Sequence, residues 1–178
     1  MEIKNLIDED FIQYRKPSMF IGMPHCSFKC DKECGHNVCQ NSELALAPTV
    51  EIDDEEIIQR YITNPITEAI VFGGLEPFDS FDELCHFLGS FENYYKRGHI
   101  HTKEERPDIV IYTGYYPEEI KGKLYKLWLF YGRDNIIIKF GRFIPDSLPI
   151  HDELLGVNLA SCNQKAMRLE DFINENNN

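Results

Sequence analysis

The chain has 178 residues, 43% of them hydrophobic and 21 of them Phe or Tyr (12 Phe, 9 Tyr), which suits a single domain, 1–178, with a real core. Its formal net charge of −12 argues against nucleic acid as the main partner, because phosphate binding wants a basic surface. No apolar run reaches the roughly 18–20 residues of a membrane span, and the acidic first ten residues lack the basic-then-apolar form of a signal peptide. The expectation is a cytoplasmic protein in a reducing compartment, where clustered cysteines bind metal or react more often than they form disulfides.

Residues 1–16 are polar and give no strong periodic signal. The apolar run 18–23 is predicted to be a buried first strand. It leads directly into a loop, about 24–41, that holds four of the six cysteines: Cys26, Cys30, Cys34 and Cys39. Glycine and charged residues separate them, which is how a chain delivers several thiolates to one inorganic centre. Three readings compete: an iron–sulfur cluster on Cys thiolates at short loop spacings, a closed tetrahedral zinc site using all four sulfurs, and a set of unrelated thiols. Residues 41–49 read as a connector.

A helix follows, capped by Asp53 with Glu56 three residues on as in a capping box; Ile57, Ile58, Tyr61 and Ile62 form its apolar face, and Asn64-Pro65 stops it. Residues 67–72 are predicted to be the second strand, running into Gly73, Gly74, Leu75 and Glu76. Two glycines at the end of a strand let a ligand approach the backbone closely, and the nearby carboxylate can meet a cation or a hydroxyl. The alternative is an ordinary tight turn with a chance Glu. Asp79 and Ser80 offer the next helix start, with Phe81, Leu84, Cys85, Leu88 and Phe91 at helical spacing. Cys85 thus reads as a core residue and His86 as solvated, as do His99 and His101 in a charged loop.

Residues 108–112 form a third predicted strand, ending in Thr113, Gly114 and Tyr115. Pro117 fits the first position of the next helix, which carries Ile120, Leu124, Leu127 and Trp128 and closes at Tyr131-Gly132. Residues 135–140 read as a fourth strand, 156–163 as a last strand, and 169–173 as the start of a terminal helix before a frayed tail at 174–178. Cys162 reads as a buried or spare thiol. Strands alternate with helices, so the fold expected is α/β with a mostly parallel sheet, curled by right-handed crossovers into a partial, open β/α barrel. Three loops at strand carboxyl ends then converge on one mouth, which favours a catalytic site over a zinc staple.

The cysteine loop after the first strand and the Gly-Gly-x-Glu-Pro turn after the second resemble the radical S-adenosylmethionine superfamily. More specifically the chain resembles the small activating proteins of anaerobic ribonucleoside-triphosphate reductase. The matching stretches are Phe20 to Gly22, Cys39 to Leu44, Ile111 to Tyr115, Gly141 to Phe143, and Ser161 to Gln164, which are spread over most of the span 18–169. The superfamily's usual cysteine spacing is Cys-x3-Cys-x2-Cys. Cys26 and Cys30 fit it, but Glu33 stands at the third place. The residues after Cys39 match those after the family's third cysteine, so the resemblance implies Cys26, Cys30 and Cys39 as ligands of a [4Fe–4S] cluster. Cys34 is left as a loop thiol or a fourth ligand. Leu75 is an insertion in the glycine turn.

The resemblance further implies that S-adenosylmethionine is held by Gly73, Gly74 and Glu76, with Thr113 and Tyr115 beside it. It implies an oxidoreductase with no catalytic residue beyond the cluster, in which one electron cleaves S-adenosylmethionine to methionine and a 5′-deoxyadenosyl radical that makes a glycyl radical on a partner enzyme. That partner would be a glycyl-radical enzyme such as the large subunit of anaerobic ribonucleotide reductase, with flavodoxin or ferredoxin as electron donor. Tyr115, Tyr116 and Arg142 are expected contributors to docking. A reading from another class is a non-catalytic adaptor in which Cys26, Cys30, Cys34 and Cys39 hold zinc.

Overall fold

A computed structural model describes residues 1–96, 106–131 and 135–176 of the chain. Its centre is a six-stranded sheet. The four inner strands are β3 (Ser18–Gly22), β5 (Ala69–Gly73), β6 (Asp108–Tyr112) and β7 (Ile136–Phe140). They pair in parallel in that order. Their sequences are rich in Ile, Val and Phe with little alternation, as expected of strands covered on both faces. Two antiparallel strands flank them: β2 (Asn5–Asp10) against β3 and β10 (Lys165–Arg168) against β7. The fold is therefore mixed α/β on an open sheet of order β10, β7, β6, β5, β3, β2, not closed into a barrel.

Each parallel step uses a helix: α3 (Asp54–Thr63), α4 (Phe81–Lys96) and α5 (Pro117–Phe130). Because the strands are added in one direction across the sheet, right-handed crossovers place all three helices on the same face. The packing agrees. Met19, Ile21, Ile70, Phe72, Ile109, Ile111, Ile136 and Ile138 point into one cluster with Ile57, Tyr61, Leu84, Phe87, Leu124 and Leu127 of the helices, closed by Leu169 and Phe172 of α6 (Leu169–Asn176). Ala69, Val71, Val110 and Ile137 alternate to the other face, where Tyr14, Leu155 and Leu159 meet them. Among the described residues that second face carries no long helix, and toward the carboxyl ends of the strands it opens onto a cavity.

Several expectations are corrected. The polar segment 1–16 contains β1 (Glu2–Ile3) and β2; the latter is mostly part-buried or exposed and ends in three consecutive acidic residues, Asp8, Glu9 and Asp10, so it lacks an apolar run. The cysteine segment is not all loop: it holds α1 (Lys29–Cys34) and α2 (Ser42–Leu46), and β4 (Val50–Glu51) pairs with β1. The predicted last strand, 156–163, shrinks to β9 (Val157–Leu159), which forms a hairpin with β8 (Ile150–Asp152) apart from the main sheet. The polar β10 takes the sheet edge instead. Asp53 caps α3 by accepting from the Glu55 amide at 2.9 Å, whereas Glu56 lies near Arg60 at 4.0 Å. Cys85 packs at the margin of the core. Of the two readings of Cys162, buried or spare thiol, the buried one is corrected: it is exposed. His86 is exposed, but its Nδ1 sits 2.8 Å from Asp54. His99, His101 and Gly132 lie outside the described residues.

Candidate cluster and cofactor site

The carboxyl ends of β3, β5, β6 and β7 open onto a cavity of about 400 Å³, a size that suits a small-molecule ligand. Cys26, Cys30 and Cys39 line it, and so do Phe20, Asn41, Gly74, Leu75, Glu76, Tyr112, Thr113, Gly114, Lys139, Gly141 and Gln164. Cys34, at the end of α1, is not on that wall. All six cysteines are free thiols. Among the described residues no three Cys, His, Asp or Glu side chains stand close enough to hold a single metal ion. Cys26, Cys30 and Cys39 nevertheless share one cavity wall.

Backbone geometry and polar contacts set the thiols. Phe28 takes a left-handed conformation, φ 52°, immediately before α1, which is costly for a bulky residue; it turns the chain between Cys26 and Cys30. The Phe28 amide donates to Cys26 Sγ at 3.3 Å. Asp31 accepts from the Val38 and Cys39 amides, both at 2.8 Å, through one oxygen. This carboxylate folds the insertion so that Cys39 returns to the cavity. Asp79 ties the segment to the turn after β6: its Oδ2 accepts from the Ser27 amide and its Oδ1 from the Tyr115 hydroxyl, both at 2.5 Å.

Charge completes the docking of α1. Arg142, 3% exposed, donates to Glu119 Oε1 at 2.6 Å. Its Nε also lies 3.0 Å from Glu33, near enough for attraction though too poorly aligned for a hydrogen bond. Lys29 reaches the same Glu119 oxygen at 2.9 Å and lies 4.2 Å over the Tyr115 ring. Partial burial raises the Glu119 carboxyl, but the Arg142, Tyr116 and Lys29 donors outweigh it and hold the group at about 2. Arg142 is thus internal, not the docking-surface residue expected from sequence.

The glycine turn meets the third loop through Glu76. Its Oε1 accepts from the Thr113 hydroxyl at 2.6 Å and the Phe78 amide at 3.1 Å, and its Oε2 from the Gly114 amide at 2.8 Å. Those donors occupy three of the roughly four acceptor positions of a carboxylate. Burial still wins, pushing Glu76 up to about 7. Gly74 has φ +74° and would bring a Cβ to 2.6 Å from Leu44, so the turn needs glycine there. Gly73 lies off the cavity wall; its carbonyl accepts from the Met23 amide at 2.9 Å, guiding β3 into the cysteine segment. Tyr115 is also off the wall, bound to Asp79. Of the residues expected from sequence, Cys26, Cys30, Cys39, Gly74, Glu76 and Thr113 share the cavity, and Gly73 and Tyr115 brace it.

The thiols are not equivalent. Burial pushes Cys26 up to about 12, with Glu76 and Asp79 adding to the rise. Burial also raises Cys30, but the Phe143 amide and the cations of Arg142 and Lys139 pull it back. Sequence reasoning missed Lys139. Its only signal is a lysine inside the apolar run Ile136 to Phe140, which reads as an interruption of a strand. Asp79, expected only as a helix start, turns out to anchor the cysteine segment.

No family model matches this chain, and no curated protein or solved structure matches it.

Proposed function

We propose that the chain is a radical S-adenosylmethionine oxidoreductase with a [4Fe–4S] cluster on Cys26, Cys30 and Cys39, and that it activates a glycyl-radical enzyme. The observation that carries this reading is the division of the thiols: three line one cavity beside Gly74, Glu76 and Thr113, and Cys34 does not. The four-sulfur zinc site would need Cys34 on the same wall; three thiols around an open cavity leave room for a ligand on the metal. The donor set and the cavity size both fit a cluster with a ligand the size of S-adenosylmethionine. In this reading the open sheet is the partial β/α barrel expected from the sequence, with the cavity at its mouth.

When bound, the cluster would supply one electron to the sulfonium of S-adenosylmethionine and so release methionine and a 5′-deoxyadenosyl radical. The chain's own residues do the rest. Cys26, Cys30 and Cys39 would hold the metal as thiolates. Gly74 keeps the turn free of a side chain, so that backbone atoms reach the ligand. Glu76 fixes the β5 and β6 turns relative to each other and keeps one acceptor position for a ligand donor. Phe20, Leu75 and Tyr112 present apolar surface that keeps water from the reacting atoms.

The partner proposed is a glycyl-radical enzyme such as the large subunit of anaerobic ribonucleotide reductase, in the cytoplasm, with flavodoxin or ferredoxin as electron donor. A macromolecular substrate suits a cavity that is open to the surface. The test is anaerobic reconstitution with iron and sulfide, followed by electron paramagnetic resonance of the dithionite-reduced protein with and without S-adenosylmethionine. The expected result is a reduced [4Fe–4S] signal that changes when S-adenosylmethionine is added. Tightly held zinc, no cluster and no response to S-adenosylmethionine would overturn the reading in favour of a zinc-binding adaptor.

A further inference from the structure

Lys139 is the feature of the cavity that the proposed chemistry does not yet use. It sits on β7 opposite Tyr112 of β6, on the sheet face away from the helices. It is 8% exposed and lines the cavity with Cys30 and Glu76. Its Nζ donates to the Gly141 carbonyl at 3.1 Å and lies 5.8 Å from the Tyr112 ring centre. Among the described residues no carboxylate lies within ion-pair distance of it. Arg142, the other cation near Cys30, is committed to Glu119 and Glu33. Among the described residues Lys139 is therefore the one cation on the cavity wall.

A buried ammonium held by one carbonyl and a ring face is expensive, on the order of several kcal/mol. Such a charge persists where an anion completes it. The three thiolates that a metal centre requires would supply that negative charge on the same cavity wall. Reduction of that centre by one electron adds one more negative charge, and nearby charge is among the terms that set the potential of an iron–sulfur centre.

We propose that Lys139 is the electrostatic counter-charge of the metal centre, a positioning residue whose ammonium beside Cys30 makes the centre easier to reduce. This inference rests on the cluster reading above. The electron comes from an external reductant and remains on the centre; Lys139 forms and breaks no bond.

The test compares wild type, Lys139→Met and Lys139→Arg after anaerobic reconstitution, with iron and sulfide counted first. The reduced signal is then titrated against potential in the absence of S-adenosylmethionine. The expected result is equal iron in all three, with the Lys139→Met midpoint more negative by at least a tenfold shift of the reduction equilibrium, about 59 mV for one electron, and Lys139→Arg close to wild type. If Lys139→Met loses iron, Lys139→Gln replaces it, with the same direction expected. A neutral variant with full iron and an unchanged midpoint would overturn the counter-charge role and leave the cluster reading intact. A wild type that forms no cluster would overturn both.

Discussion

The parallel sheet and the cysteine segment are held by different forces. Ala69, Ile70, Val71 and Phe72 of β5 are fully buried, as are Ile137 and Ile138 of β7. Their placement follows from apolar area removed from water. Helix α1, which carries Cys30 and Cys34, has no buried residue at all. It is placed by Asp31, Asp79, Glu119 and Arg142, through directional contacts whose net worth is on the order of 1 kcal/mol each. The difference teaches that fold stability and site geometry are separable here. The scaffold tolerates polar change near the cavity, and the thiols depend on a few polar contacts that contribute little to global stability.

The largest effect should come from the core. Phe72→Ala removes a side chain packed edge-on against Phe87, with ring centres 5.6 Å apart. It should cost about 3–5 kcal/mol in denaturant unfolding. Asp31→Ala attacks the other region. It leaves the Val38 and Cys39 amides without their acceptor, a loss of about 1–3 kcal/mol confined to the segment. Hydrogen exchange should accelerate over residues 29–41 while the amides of β5 and β6 keep their protection. Equal loss of protection in both regions would break the comparison.

Glu76 joins the two regions and gives a pH signature. Its pKa is raised, to about 7, so the folded state holds this proton more tightly than the unfolded chain does. Its contribution to stability is full below the usual carboxylate value and is lost as pH rises through about 7. In the metal-free protein, Glu76→Gln should flatten the fall in unfolding free energy between about pH 5 and 7.5. A variant as steep as wild type would place the titration elsewhere. Gly74→Ala should have the smallest effect, roughly 1–2 kcal/mol for a left-handed backbone with a side chain, because the clash at Leu44 is with the end of a flexible side chain.

The four parallel strands were legible because buried parallel strands are continuous apolar runs, and Ser18–Gly22 and Asp108–Tyr112 fall where such runs predict them. The edge strands were not. Asn5–Asp10 and Lys165–Arg168 bury too little to show a pattern, and pairing with an already formed neighbour supplies their backbone partners. The site divides in the same way. Cys26, Cys30, Cys39, Gly74 and Thr113 are visible because chemistry at strand ends uses residue types that stand out. Lys139 is hidden inside an apolar run, and the Glu119, Arg142 and Lys29 cluster joins residues from three separate segments.

The most direct test of the central claim, that three thiols and not four form the centre, is iron and sulfide content after anaerobic reconstitution of the single Cys→Ser variants. Cys34→Ser should retain the wild-type content, whereas Cys26→Ser, Cys30→Ser and Cys39→Ser should each lose most of it. Loss in Cys34→Ser equal to that in Cys26→Ser, or full retention in Cys39→Ser, would contradict that claim.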